Sequence, residues 1–128
     1  MNSVLSIYFS QDSELIELEI LDKEYREDIL IKINENFYQL EFITLSRFLR
    51  ECEILEECNC INIINKMTIF SSPNKDNIIN TIIKLYEMNF FKNCSPINLQ
   101  IEYASNFTKL QNLDNWIKIY DYKKGNTL

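Results

Sequence analysis

The sequence predicts an α+β fold: an antiparallel β-sheet, a three-stranded meander plus one or two further strands, packed on one face by two to three helices. Three observations predict it. Apolar and polar residues alternate with period two in or near 14–20, 28–34 and 37–44, as they do in half-buried strands. The stretch 74–91 carries a helical stripe of isoleucines behind a Ser-Pro start, where the missing proline N–H does no harm. Sheet and helix each have one apolar side and must bury it, which layers one on the other. The 128 residues hold no repeat or linker-like run, and their length fits one domain, 1–128.

Taken in order, Glu14–Ile20 reads as a strand with Ile16, Leu18 and Ile20 inward and Glu17 and Glu19 outward. The polar run Asp22–Asp28 reads as a loop. Ile29–Ile33 is a second strand, and Asn34-Glu35-Asn36 a turn, because asparagine tolerates the left-handed conformation a tight hairpin needs. Phe37–Thr44 returns with Tyr38, Leu40 and Phe42 on one face. Ser46 caps a helix carrying Leu45, Phe48, Leu49, Cys52 and Leu55 at helical spacing. A strand is centred on Met67–Phe70. In the helix that follows Ser72-Pro73, Ile78, Ile79, Ile82, Ile83, Leu85 and Tyr86 share one side. The stretch 97–112 alternates like a strand but also carries the stripe Leu99, Tyr103, Phe107, Leu110; the sustained pattern after Ser95-Pro96 favours helix. Trp116–Tyr122 reads as a last short strand, with Trp116, Tyr120 and Tyr122 as packing residues.

Composition excludes much chemistry. There is no histidine, so imidazole bases and His-ligated metal sites are gone. The single glycine, Gly125, leaves no loop that could cradle a phosphate. Cys52, Cys58, Cys60 and Cys94 lack the C-x-x-C spacing of structural zinc sites, which predicts free thiols, no metal and no cofactor. The opening residues do not form a signal peptide, and no apolar run approaches the ~18 residues of a membrane span; a cytoplasmic protein is expected. Glu17 and Glu19, on one strand face, would stand about 7 Å apart. Two carboxylates suffice for glycoside hydrolysis, but the aromatics sit at core positions instead of walling a sugar cleft, so no enzyme is expected.

Charge is the informative feature. The net charge is −6, yet residues 1–60 hold 14 acids against 5 bases and residues 61–128 hold 5 against 8. An acidic surface repels nucleic acid and anionic membranes and suits a basic protein partner. Seven acids lie between Glu14 and Asp28, with Asp12 just before them. The candidate partner-binding residues are Glu17, Glu19, Asp22, Glu24, Tyr25, Glu27, Asp28 and Glu41, with Tyr25 either an interface anchor or a ring lying over the sheet edge. Reversing Glu24 and Asp28 to lysine is expected to slow association and leave folding nearly unchanged.

The opening Ser6-Ile7-Tyr8-Phe9-Ser10-Gln11-Asp12 resembles the Ser-Ile-x-Ser-x-Asp start of one family of bacterial polymorphic-toxin immunity proteins, the type numbered eight. The segment Glu41-Phe42-Ile43-Thr44-Leu45-Ser46-Arg47-Phe48-Leu49 and the ending Trp116-Ile117-Lys118-Ile119-Tyr120-Asp121-Tyr122 are similar to that family as well. The resemblance implies a small cytoplasmic inhibitor, monomer or homodimer, made beside a secreted toxin and binding its C-terminal domain. Many such toxins are nucleases with basic channels, into which an acidic surface can dock. It carries over no site residue. The alternative is a non-enzymatic structural or adaptor subunit of a phage or secretion assembly, which would show exposed apolar patches and a symmetric self-interface.

Overall fold

A computed structural model describes residues 3–58, 67–97 and 113–123. Five strands form one sheet in the order β4-β3-β2-β1-β5: β1 Ser3–Phe9, β2 Tyr25–Ile33, β3 Asn36–Ile43, β4 Met67–Phe70 and β5 Ile117–Lys123. β1 pairs antiparallel with β2 and β5, and β2 antiparallel with β3. β4 pairs parallel with β3. A parallel pair needs a long crossover, and helix α2, Leu45–Cys58, lies in that connection. Helix α1, Glu14–Lys23, joins β1 to β2, and α3, Lys75–Glu87, follows β4. The fold is α+β with a mostly antiparallel sheet.

The alternation of each strand builds the core. Leu5, Ile7 and Phe9 of β1, Ile29 and Ile31 of β2, and Tyr38, Leu40 and Phe42 of β3 meet Ile78 and Ile82 of α3. Phe91, in a single 3₁₀ turn at Phe90–Asn93, closes this layer, its ring centroid 5.5 Å from that of Tyr38. The opposite set, Tyr8 and Leu30, buries Trp116. Ser6, buried on that side, donates its hydroxyl to Asp121 Oδ1 of β5 at 2.7 Å.

Two expectations about the N-terminal half are corrected. Glu14–Ile20 is not a strand but most of α1. Ser13 caps it, its Oγ accepting from Ile16 N–H at 3.2 Å, and Glu14 and Glu17 fall in the first turn, where acids favour a helix. Leucine, glutamate and lysine hold the helix better than the two isoleucines hold a strand. The place given to that strand in the meander belongs to β1. The expected loop 22–28 is also wrong: Asp22 and Lys23 end α1, Glu24 caps it, Tyr25 opens β2, and a bulge lies between Arg26 and Ile29. Caps shift as well. Thr44 Oγ1 accepts from Arg47 N–H at 3.2 Å at the start of α2, in place of Ser46. Asn74 Oδ1 accepts from Asn77 N–H at 2.8 Å at the start of α3, in place of Ser72. The hairpin turn stands as expected, with Asn34 left-handed at φ 55°. Ile97 bridges Phe37; the rest of the expected 97–112 helix lies outside the described residues. Among the described residues no helix is long and apolar enough to cross a membrane.

Candidate interaction surface

The acidic segment is organised around one buried cation. Arg26 is 2% exposed, and its guanidinium lies over the Phe9 ring, 3.5 Å from the centroid. The bulge in β2 brings Asp28 beside it. Arg26 Nε donates to Asp28 Oδ1 at 2.6 Å and Nη2 to Oδ2 at 3.2 Å. Arg26 Nη1 reaches Glu17 Oε1 of α1 at 3.1 Å, and Nη2 donates to the Gln11 carbonyl. Ser10 supplies two more donors to Asp28 Oδ2, its N–H at 3.0 Å and its hydroxyl at 2.7 Å. A buried guanidinium must be paired and hydrogen-bonded. Asp28 and Glu17 meet that demand, and the network ties α1 and the β1–α1 loop to the sheet.

Glu24 is also committed. It stands left-handed at φ 65° as the C-cap of α1, donating its N–H to Ile20 O. Its carboxylate accepts from Thr44 Oγ1 at 3.1 Å and pairs with Arg50 of α2. Tyr25 is partly buried under Arg47, whose guanidinium lies 5.0 Å from the ring centroid. Arg47 also donates to the Lys23 carbonyl at 2.9 Å and to Glu51 at 3.1 Å. Tyr25 thus opens the central strand with its ring against Arg47, not at an edge of the sheet. Glu41, on β3, accepts from Thr68 of β4 at 3.4 Å. Glu17 and Glu19 do not share a face, since residues two apart on a helix point about 200° from one another.

What remains of the candidate set lies outward. Glu19, Asp22 and Glu27 are exposed. Glu14, at the start of α1, joins them; the helical reading of 14–23 would have found it. Glu14, Glu19 and Asp22 make no ion pair or hydrogen bond with another described side chain. Between them α1 turns Leu15, Leu18 and Leu21 to solvent, 66%, 65% and 48% exposed.

No protein-family model, curated protein or solved structure matches this chain.

A recess of about 610 Å³ opens where the start of α1 faces the start of α3, walled by Asp12, Ser13, Glu14, Glu17, Leu18 and Lys75. Lys75 is held there by Asp12, Nζ to Oδ2 at 2.8 Å. With Lys75 and Arg26 already paired, the carboxylates of this wall leave it acidic. Among the described residues no group of three Cys, Asp or Glu side chains is placed to hold a metal, and Cys52 and Cys94 are free thiols. Cys94 Sγ contacts the Phe90 carbonyl at 3.4 Å, and burial pushes the thiol up from its ordinary range. Cys60 and the Cys58 side chain lie outside the described residues.

Proposed function

We propose that this protein is an immunity protein: it binds and neutralises a toxin domain with a basic face, such as a nuclease carries, and has no catalytic activity of its own. The observation that carries this reading is the set of exposed carboxylates on α1, Glu14, Glu19 and Asp22, that make no ion pair with a described residue, in a chain of net charge −6. Like charges gathered without counter-ions oppose the compact state, and a basic partner relieves them. The resemblance of the opening, the 41–49 segment and the Trp116 ending to immunity proteins points the same way. The test is rescue. The C-terminal domain encoded by the neighbouring gene is expressed in a bacterium with and without this protein; growth restored only with it supports the reading. A toxin unaffected by it, or restored growth without any complex between the purified proteins, overturns it.

The exposed leucines favour a second reading, a structural or adaptor subunit that self-associates. Its difficulty is charge. Two copies of α1 packed about a two-fold axis would set Glu14 of one against Asp22 of the other, and like charges across an interface are costly. Sedimentation at rising concentration separates the readings: a stable dimer that persists at low salt favours the second.

A further inference from the structure

α1 is apolar on two opposite sides. Ile20 is 8% exposed and Ile16 partly buried against the sheet, which is the ordinary inward face. Leu15, Leu18 and Leu21 fall on the other side, within an arc of about 120° at 100° per residue. Isolated exposed leucines need no explanation. Three at i, i+3 and i+6 on one ten-residue helix make a stripe, and helices that dock into grooves carry anchors at such spacing. The stripe also has a defined rim. Glu14 stands at its N-terminal end, Asp22 at its C-terminal end and Glu19 on its flank. Leu18 and Glu14 continue into the recess that Asp12, Glu17 and Lys75 complete.

We propose that the outer face of α1 is the docking surface, with Leu15, Leu18 and Leu21 entering an apolar groove on a partner protein whose rim is basic. A lysine or arginine of that partner reaches into the recess toward Glu14. Charge complementarity selects this occupant. A second copy would oppose acid to acid, and an anionic membrane or nucleic acid would meet a rim of carboxylates in which Lys75 is already paired with Asp12. The arrangement is that of protein interfaces generally, an apolar centre inside a charged border. The proposal deepens the immunity reading and rests on it.

Centre and rim act on different rate constants, and the experiment uses that division. Association of the full-length protein with the purified toxin domain of the neighbouring gene is followed kinetically. The double variant Leu15→Ser/Leu18→Ser should weaken binding by about tenfold or more, chiefly through faster dissociation. Glu19→Lys/Asp22→Lys should chiefly slow association, most at low salt. Leu45→Ser/Leu49→Ser, exposed on α2, should change neither. Slowed amide exchange of 14–23 in the wild-type complex gives the same answer without any variant. If wild type binds, the α1 variants bind equally well and 14–23 gains no protection, the docking surface is overturned while the immunity reading stands. Loss of binding through the α2 pair alone has the same meaning. If wild type does not bind the toxin domain at all, both fall.

Discussion

Arg26 decides which of the acids around it are free to act. Its side chain is 1% exposed, whereas its partners Glu17 and Asp28 are 23% and 24% exposed, so the carboxylates face water from behind while holding the guanidinium in the interior. Removing one partner of a buried pair costs far more than removing an exposed charge. Asp28→Ala should therefore lower stability by about 3 kcal/mol, read by denaturant titration, since it leaves Arg26 with Glu17 and the Gln11 carbonyl alone. The expectation that Asp28→Lys would leave folding nearly unchanged is corrected on the same ground, because a lysine there would face the buried guanidinium. Glu24 carries a different cost. A non-glycine residue in the left-handed region is strained by about 1 kcal/mol, and this chain, whose one glycine is Gly125, places glutamate there and asparagine at 34 and 89. Thr44 and Arg50 hold Glu24 in that conformation. Tyr122 supplies a pH signature. Burial, then the charge of Glu87, hold its phenol above the ordinary tyrosine range. The folded state thus keeps the neutral phenol longer than the unfolded chain does. The stability this brings is complete below the ordinary value of about 10 and is lost as pH rises through the raised folded value. Absorbance titration at alkaline pH should show Tyr122 ionising above the ordinary tyrosine range, a component absent in Tyr122→Phe and moved part of the way down in Glu87→Gln, where burial still acts.

At the scale of elements, caps and core burial separate α1 from α3. α1 is held by Ser13, by Glu24, by the Glu17–Arg26 pair and by one buried apolar side chain, Ile20. α3 has the Asn74 cap and sets Ile78 and Ile82, both fully buried, into the main core. Losing either cap costs about 1 kcal/mol, but the loss should appear in different places. Ser13→Ala should speed amide exchange within 14–23 and barely move the global melting transition, because α1 can open by itself. Asn74→Ala should lower the global transition, since α3 cannot leave without exposing the core. The same contrast explains what could be read from the sequence. α3 was legible because one face is apolar, mostly isoleucine, and the other polar, although it ends at Glu87, short of the expected residue 91. β2 and β3 were legible through Ile29, Ile31, Tyr38, Leu40 and Phe42. α1 was misread because Leu15, Leu18 and Leu21 break its amphipathic pattern: with leucines outside and isoleucines inside, Ile16-Glu17-Leu18-Glu19-Ile20 mimics a strand. The signal that would have corrected it is local, Ser13 followed by helix-favouring Glu and Leu. β1 escaped because Leu5, Ile7 and Phe9 alternate with Ser6 and Tyr8, both of which are also buried, so its two faces do not contrast. Of the candidate site, the charge was legible and its distribution was not: nothing in the spacing shows that Glu17 and Asp28 serve Arg26.

For the molecule as a whole, binding and folding place opposite demands on the free acids. Glu19 and Asp22 lie exposed on a chain that is already strongly acidic, and Asp22 sits in the last turn of α1, where the helix dipole disfavours a negative charge. Neither makes an ion pair with a described residue, although Lys23 lies close by on the same helix. Their effect on folding is therefore a small cost, felt most when salt is low: the screening length falls from about 30 Å at 0.01 M to about 8 Å at 0.15 M. Salt should accordingly raise the melting temperature over that range; if the proposed immunity role holds, it should also slow capture of the toxin domain, because the charges that repel one another would then be the ones that steer the partner. In Glu19→Lys/Asp22→Lys both slopes should flatten. Its melting temperature at low salt should exceed that of wild type, by a few degrees at most since exposed charges contribute little, and its association rate at 0.01 M should fall by about tenfold. Thermal melts and stopped-flow mixing of the same two proteins across the salt series measure the two slopes side by side. A variant that melts higher yet captures the toxin domain as fast as wild type would show that these acids do not steer the partner, and the acidic-surface reading would lose its physical basis.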